Sequence, residues 1–408
     1  MAIQGSGRLT GVRDLEAVSV LPAGRVVRTD NRGEPFLLAD AAGEVVEPVR
    51  QFLLELLARD LASLTLRSYA NDLLRWWRFL GAIGVVWDKA TPEDVRDFIL
   101  WMRTTRKLTG SRQARRIEYP TINAVTGKAP QGRRYSAATI NHAESVVHDF
   151  YEFHLRSGLG PMVNPVIRSR SLHARRNAHH NPLNVFRLSQ RGAYRQKLPR
   201  VVPRGMSDEQ FDALFKALRS DRDRALLAFY ISSGVRANEL LSMTGDSFDP
   251  GEQLIRVRSK GTRAMDWVPA AAEAFVWLRL YQDQVEVAKP GEPLWVTLRH
   301  PRKPLGYDAL RAVIKRANAT LGSDWSIHDF RHTAAHRMLG SGMSETDVQT
   351  VLRHAHVTTT QRYVVPRLKD LVAAVQRAYN SPVTPPVELV GDRYDPADLE
   401  VLFGRPGE

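Results

Sequence analysis

Six polar residues in the last third of the chain are of the types that phosphoryl transfer requires. Arginine, lysine and histidine side chains can stabilise the charge that builds on the nonbridging oxygens of a phosphate under attack, and one of them can protonate the departing oxygen. A tyrosine hydroxyl can act as the nucleophile and divide one difficult step into two. In chain order the six are Arg236, Lys260, His328, Arg331, His354 and Tyr363.

Each of these residues falls in a local context that suits its task. Arg236 follows Gly234 at the start of a predicted helix, where the helix N-terminus adds affinity for anions. His328 and Arg331 are three residues apart and therefore share one helix face. Lys260 lies in a turn between two alternating segments that predict paired strands, EQLIRVRSK and AMDWVPA. Singly, none of these signals is specific, and it is their joint order that indicates a phosphoryl-transfer site.

The segments that carry the six residues resemble those of the tyrosine recombinases, also called the phage integrase family. The matching motifs are GVRANELL, RSKGTRAMDWVP, HDFRHTAAH and LRHAHVTTTQRY. Two earlier helical segments, SLTLRSYANDLLRWWRFL and AATINHAESVVHDFYEF, look like the core-binding domain of that family. The resemblance extends over about Val49 to Tyr379 and is most specific over residues 203–370.

The resemblance implies a reaction in which the protein itself becomes attached to DNA. Tyr363 would attack the scissile phosphate, form a 3′-phosphotyrosine and leave a free 5′ hydroxyl. Lys260 would protonate the 5′ oxygen, and His328 would assist acid–base transfer. Because the phosphotyrosine keeps the energy of the broken bond, a second 5′ hydroxyl could reverse the step without metal or ATP.

The resemblance also assigns the residues that hold the phosphate. Arg236, Arg331 and His354 would bind the nonbridging oxygens, since the arginine fork matches phosphate and stays charged. Glu239 and His332 would support the site by orienting the arginines.

One residue departs from the family's pattern. Arg353 stands where the family usually has glycine, which favours a backbone that avoids a positive φ. Its side chain could add a phosphate contact or displace His354.

The net charge of +14 and the pI near 10.2 favour a nucleic-acid partner. The excess is concentrated in residues 103–134, with nine Lys or Arg against one acid, and in residues 166–204, with ten and no acid. Together these stretches carry more positive charge than the whole chain, which is typical of phosphate contact. The predicted DNA-binding residues of the second stretch are Arg168, Arg170, Arg175, Arg176, Arg187, Arg191, Arg195, Lys197 and Arg200.

Three other functions compete with recombination. A type IB topoisomerase has the same catalytic residues but nicks and relaxes DNA as a monomer. A catalytically silent relative would only occupy a DNA site, which the presence of all six residues disfavours. A metal site is suggested by His328, His332 and His336 at four-residue spacing, but no carboxylate ligand accompanies them, and Arg331 would repel a cation.

The expected partners follow from the recombinase interpretation. We expect duplex DNA, a homotetramer on DNA with a free monomer or dimer, and possible accessory DNA-bending proteins. No cofactor, no metal and no membrane is expected. The chain has no cysteine, no signal-peptide pattern at its N-terminus and no long apolar run, which predicts a soluble protein of the cytoplasm, associated with the nucleoid.

The predicted fold class is mainly α (α+β). It comprises a helical-bundle core-binding domain and a mainly helical catalytic domain with a small antiparallel β-sheet. The predicted boundaries are an N-terminal extension at 1–48, the helical domain at 49–165, a basic linker at 166–204, the catalytic domain at 205–380 and an acidic, proline-rich tail at 381–408.

Overall fold

The computed structural model describes residues 13–107, 122–130, 132–170, 190–198, 203–259 and 264–353. The chain forms two compact units, Met1–Val201 and Val202–Glu408, and the division falls within the predicted linker. Both units are mainly helical with small antiparallel sheets, which confirms the predicted fold class. In the described ranges, every helix is too short or too polar to span a bilayer.

The first unit joins a β-hairpin to a four-helix bundle. Strands β1 and β2 pair antiparallel, and strands β3 and β4 form a second antiparallel pair at the end of the unit. A 3₁₀ turn at Trp87–Lys89 connects the second and third helices. The elements are β1 (Arg25–Arg28), β2 (Phe36–Ala39), α1 (Glu47–Ala58), α2 (Ser63–Ala82), α3 (Pro92–Thr104), α4 (Ala137–Arg156), β3 (Arg168–Arg170) and β4 (Gln190–Gly192).

Local sequence signals fix where these helices begin. Thr91 and Asp94 form a reciprocal capping box at the start of α3, with Pro92 in its first turn. Ser136 caps α4 by accepting a hydrogen bond from the Thr139 amide. The caps satisfy amide groups that a helix leaves unpaired at its N-terminus.

Aromatic side chains fill the core of the bundle. Trp76 and Phe79 are fully buried, and Trp77 is half-buried. The Trp76 indole donates a hydrogen bond to the Tyr151 hydroxyl at 3.1 Å, and that hydroxyl donates to the Trp87 carbonyl at 2.8 Å. Both polar groups are thereby satisfied inside the core.

The segment before α1 braces the bundle. Strands β1 and β2 pack on α1 and α2, and the Arg78 guanidinium donates to the carbonyls of residues 22–24. Arg13 reaches the buried carboxylates of Asp94 and Asp97 at 2.6 and 3.1 Å. Residues 13–46 therefore belong physically to the helical unit.

The second unit builds helices around a small sheet. Strands β5, β6 and β7 pair antiparallel in that order, and the predicted pairing of the segments on either side of Lys260 is confirmed. The elements are α5 (Asp208–Ala217), α6 (Asp221–Ser233), α7 (Ala237–Leu241), β5 (Phe248–Asp249), β6 (Leu254–Arg258), β7 (Met265–Pro269), α8 (Ala272–Gln282), α9 (Tyr307–Leu321), α10 (Ile327–Gly340) and α11 (Glu345–Leu352).

Helix α6 lies at the centre of this unit. It packs against α8 and α10, and most of its side chains are buried. Trp295 is fully buried, stacks on Tyr281 and donates its indole N–H to the Leu240 carbonyl at 2.8 Å. The central position of α6 fixes the place at which its C-terminus, Gly234, meets α10 and α11.

Candidate active site

Arg331 is held at a meeting point of helix ends. It lies on α10, whose start is set by a capping box between Ser326 and Asp329, and it is 4% exposed. Its guanidinium donates from Nη1 to the Gly234 carbonyl, at the C-terminus of α6, and from Nη2 to the carbonyl of Leu352, the last residue of α11, each at 2.5 Å. Carbonyls at helix C-termini carry partial negative charge, so they stabilise a buried cation.

Gly234 permits this close approach. It has φ +62°, a left-handed conformation that ends α6. A Cβ on this residue would lie 2.4 Å from Leu352 Cδ2 and 3.3 Å from the Ala334 Cβ. Glycine is therefore required both for the turn and for the packing of three helix segments.

Arg236 begins helix α7 two residues later, where the sequence places it. The Glu239 carboxylate, 3% exposed, accepts from the Arg236 backbone N–H at 2.8 Å and from its Nη1 at 2.9 Å. Arg236 Nη2 donates to the Arg353 carbonyl at 3.4 Å. The side chain remains 35% exposed, so one buried carboxylate orients a guanidinium that still reaches solvent.

His328 and His332 lie one turn apart on α10, with ring centroids 4.4 Å apart in an edge-to-face arrangement. Burial lowers the pKa of His328, and the positive charges of Arg331 and Arg236 lower it further against the opposing effect of Asp329. Burial lowers the pKa of His332 to about 4, with a contribution from His328. Both imidazoles are consequently neutral at pH 7, and a neutral ring can accept or donate a proton.

The expectation for Arg353 is wrong in its backbone. The residue has φ +52° and ψ +52° at the end of α11, so it keeps the left-handed conformation that glycine would adopt. Its side chain, 14% exposed, pairs through Nη2 with Glu239 and lies 3.9 Å from Asp266 through Nη1. The two carboxylates supply contacts that offset the strain of the turn.

Lys260, His354 and Tyr363 lie outside the described residues. The strands that flank Lys260 are described, and the Ser259 amide donates to the Ala264 carbonyl at 2.8 Å. His354 follows directly on Arg353. The structure thus brings together Arg236, Glu239 and Arg331 with His328 and His332, and Lys260, His354 and Tyr363 stay predictions.

The sequence interpretation overlooked Asp266. In the β6–β7 ladder, Asp266 lies opposite Val257, and Val268 lies opposite Ile255. The side chains of Val257, Val268 and Ile255 are all buried. Asp266 therefore lies on the core-facing side of the strand. A carboxylate at a position where alternation predicts an apolar residue is the sequence signal that could have identified it.

The third histidine of α10 has a different environment. His336 Nε2 donates to the Pro203 carbonyl at 2.9 Å, on the N-terminal side of α5. Within the described ranges there is no cluster of three or more histidine, cysteine or carboxylate side chains that could hold a metal ion.

The described ends of the basic stretch, residues 166–170 and 190–198, pair with each other. Strands β3 and β4 pair Arg168 with Gly192, so the chain leaves and re-enters at the same place. The Asn141 amide accepts from the Gln196 N–H at 2.7 Å and donates to the Gln196 carbonyl at 3.0 Å. The buried Glu144 carboxylate accepts from the Tyr194 N–H at 3.0 Å. The described segments that flank residues 171–189 are thus attached to the helical unit.

The predicted DNA-binding residues fall into three groups. Arg168 donates to the His148 ring nitrogen at 2.9 Å and lies 3.8 Å from Asp149, while Arg195 and Lys197 are exposed. Arg170 and Arg191 lie in the paired strands β3 and β4. The remaining four lie outside the described residues: Arg175, Arg176, Arg187 and Arg200.

Two family models match the chain. The Phage integrase family matches residues 204–368, and the Phage integrase, N-terminal SAM-like domain, matches residues 49–117. The first match contains all six predicted catalytic residues, and the second lies on the bundle helices.

Individual relatives agree with these matches. Transposase A from transposon Tn554 of Staphylococcus aureus is 21% identical over 82% of this chain and 91% of its own length. Tyrosine recombinase XerC of Corynebacterium efficiens is 28% identical over 62% of this chain and 87% of its own. Tyrosine recombinase XerD of Xanthomonas campestris is 30% identical over 41% of this chain and 57% of its own.

Solved structures with the same fold include two integrases. The Tn1549 transposon integrase in complex with circular intermediate DNA superposes with a TM-score of 0.52 at 14% identity, over 80% of this chain and 98% of that chain. A lambda integrase dimer bound to a COC′ core site superposes with a TM-score of 0.51 at 14% identity, over 78% of this chain and 76% of that chain. The two family models, which together match more than half of the chain, show that it belongs to the phage integrase family of tyrosine recombinases.

Proposed function

We propose that this site-specific recombinase cuts and rejoins DNA through Tyr363. The tyrosine hydroxyl gives its proton to the neutral His328 as its oxygen forms a bond to the scissile phosphorus, the bond from phosphorus to the 5′ oxygen breaks, and the 5′ oxygen takes a proton from Lys260. A 5′ hydroxyl of a second strand then attacks the 3′-phosphotyrosine and releases the tyrosine. Each transesterification replaces one phosphoester by another, so no ATP or metal enters the balance.

The observation that carries this proposal is the convergence of Arg236 and Arg331 in the second unit. Arg331 is fixed by the carbonyls of Gly234 and Leu352, and Arg236 is oriented by Glu239. Guanidinium groups that are positioned before the substrate binds stabilise developing negative charge without reorganisation. The geometry therefore suits a phosphate whose nonbridging oxygens gain charge during attack.

The neutral histidines of α10 fit this assignment. A neutral His328 beside Arg331 and Arg236 can donate a hydrogen bond to a phosphate oxygen or relay a proton. His332 packs behind it and holds the ring in place. We assign acid–base assistance to His328 and support to His332, while His354 adds a further phosphate ligand next to Arg353.

DNA is the substrate that the charge distribution favours. The structural neighbours described above include integrases bound to DNA, and the basic stretch 166–204 carries ten Lys or Arg and no acid. Because β3 and β4 return this stretch to the helical unit, we propose that its arginines contact the DNA backbone from that unit. Neutralising several of them, Arg175 and Arg176 first, should flatten the dependence of affinity on salt.

A covalent adduct tests the proposed chemistry. The target sequence can be selected from a random-sequence duplex library in which each molecule carries a nick, because a nick lets the cut strand diffuse away and traps the phosphotyrosine. Wild type should retain DNA through a denaturing wash, and Tyr363→Phe should retain none. Equal retention by the two proteins, or no retention by wild type, would contradict the assignment.

Two assays on DNA that carries the selected site then distinguish recombination from nicking and closing. Wild type is incubated with two duplexes that carry the site and different flanking lengths, and separately with a supercoiled plasmid. A recombinase that assembles as a tetramer yields duplexes of exchanged length. Relaxation of the plasmid without exchange would instead indicate the activity of a type IB topoisomerase.

A further inference from the structure

A chain of polar contacts connects the arginine site to the β6–β7 hairpin. Glu239 binds Arg236 on one side and Arg353 on the other. Arg353 lies 3.9 Å from the Asp266 carboxylate, and the same Asp266 oxygen accepts a hydrogen bond from the Ser259 hydroxyl. Ser259 is the residue immediately before Lys260 in the sequence. The contacts therefore run from a phosphate-binding arginine to the base of the turn that carries the predicted general acid.

Arg353 occupies the centre of this chain at a conformational cost. Its φ of +52° is one that L side chains rarely adopt, and a glycine there would have no such strain. The contacts of Arg353 with two carboxylates compensate for this strain: Glu239 on α7, 114 residues earlier, and Asp266 on β7. A strained residue that persists because its surroundings hold it is a signal of function.

We propose that Arg353 is a positioning residue that couples the Lys260 turn to the arginine pair. By binding Glu239 and facing Asp266, it fixes strand β7 relative to α7 and, through Asp266, holds Ser259, the residue before Lys260. The inference rests on the proposed function, because it assigns Arg353 a part in the same phosphotyrosine reaction. Its effect on catalysis acts through Lys260, the residue that delivers the proton to the 5′ oxygen.

A direct phosphate contact is the competing role for Arg353. Its Nε and Nη1 have no hydrogen-bond partner among the described residues. However, the side chain lies between the carboxylates of Glu239 and Asp266. Two neighbouring carboxylates neutralise its charge and repel an incoming phosphate, so the positioning role fits the geometry better.

The two roles respond differently to the leaving group. In a 5′-bridging phosphorothiolate, sulfur replaces the 5′ oxygen, and a thiolate leaves without a proton because a thiol is far more acidic than an alcohol. A defect in proton delivery is therefore bypassed by this substrate. A defect in binding of the nonbridging oxygens is not bypassed, because the same charge still develops on them.

The experiment compares cleavage of ordinary and phosphorothiolate duplexes by the full chain. Arg353→Gly removes the side chain and the strain together. Asp266→Asn removes the negative charge that faces Arg353 but keeps a side-chain oxygen that can accept from the Ser259 hydroxyl. We expect both variants to lose roughly 100-fold in cleavage rate on the ordinary duplex and to regain most of it on the phosphorothiolate. Lys260→Ala should behave in the same way, and Arg331→Ala should stay impaired on both substrates.

The outcomes separate this inference from the proposed function. Full activity of Arg353→Gly on the ordinary duplex, or an equal loss on both substrates, would overturn the positioning role, and the equal loss would favour a phosphate contact. If Arg353→Gly does not fold, Asp266→Asn decides by the same criteria. Wild type that forms no adduct with either substrate would instead refute the proposed function itself.

Discussion

Replacement of Gly234 by alanine should disturb the catalytic unit more than the same change at any comparable helix end. Gly234 and Gly322 both end helices in nearly identical left-handed conformations, with φ of 62° and 63° and ψ of 18°. They differ in what a new methyl group would meet. At Gly234 it would lie 2.4 Å from Leu352 Cδ2, and at Gly322 no described atom lies within 4 Å of it.

The matched pair isolates the packing contribution. A left-handed backbone costs an L residue roughly 1–2 kcal/mol, and both variants carry that cost. Only Gly234→Ala also forces a methyl group into a packed core, which adds roughly 1–3 kcal/mol. Leu352 is fully buried and cannot move outward freely. We therefore expect Gly234→Ala to lower the free energy of unfolding by about 1–3 kcal/mol more than Gly322→Ala does.

The same change should impair cleavage. The carbonyls of Gly234 and Leu352 hold the two ends of the Arg331 guanidinium, and a displaced Leu352 shifts one of them. A displacement of about 1 Å costs roughly 100-fold in rate when it misplaces a catalytic group. Gly322→Ala should leave the cleavage rate unchanged, since α9 ends away from these contacts.

Two measurements check this prediction. Unfolding of the full chain in guanidinium chloride gives the free energy of unfolding. Hydrogen exchange of peptides from α6 and α9 then reports the stability of the catalytic unit. Adduct formation on the selected nicked duplex gives the cleavage rate. Equal destabilisation by Gly234→Ala and Gly322→Ala, or unimpaired cleavage by Gly234→Ala, would refute the argument that the methyl group collides with Leu352.

Three further predictions follow from buried polar groups. The pKa of His332 is lowered to about 4 in the folded state, so the unfolded chain binds the extra proton and stability should fall from about pH 6.5 to about pH 4, by ~1 kcal/mol once solvent screening of the half-buried ring is included. His332→Gln should flatten that slope in unfolding experiments, and an unchanged slope would contradict the assignment. Asn141→Ala removes both side-chain hydrogen bonds to Gln196, and faster hydrogen exchange of residues 192–196, with α4 unaffected, is the expected result. Trp295→Phe removes the indole N–H that donates to the Leu240 carbonyl, which keeps the Met243 N–H as a donor at 3.2 Å, and should cost roughly 0.5–1.5 kcal/mol in chemical denaturation; a loss below the error of the measurement would argue against this hydrogen bond.

Much of the fold could be predicted because its signals are local. The Thr91 cap of α3 and the Ser207–Gln210 capping box of α5 are short motifs that act within one helical turn. Gly234 ends α6 because glycine tolerates a left-handed turn. Strands β6 and β7 alternate apolar and polar residues on either side of a turn. This two-residue period can be recognised from neighbouring residues alone.

The basic stretch was harder to interpret because composition does not fix a path. Ten cations without an acid predict contact with phosphate, but they are equally compatible with an extended linker. The pairing of β3 with β4 and the hydrogen bonds between Asn141 and Gln196, 55 residues apart, attach the stretch to the helical unit. Such pairings depend on which backbone segments the folded bundle leaves exposed.

The amino-acid sequence alone was enough to predict the chemistry proposed for this protein, because the types, order and local context of the six residues are properties of short segments. The tertiary structure decided how the described residues are held. Arg331 finds its carbonyls 97 and 21 residues away, and Arg353 keeps a glycine-like conformation because Glu239 and Asp266 stand beside it. These contacts form only when burial of apolar side chains from distant parts of the sequence packs the helices and brings their ends together. Local helix propensity does not specify which helix ends come into contact.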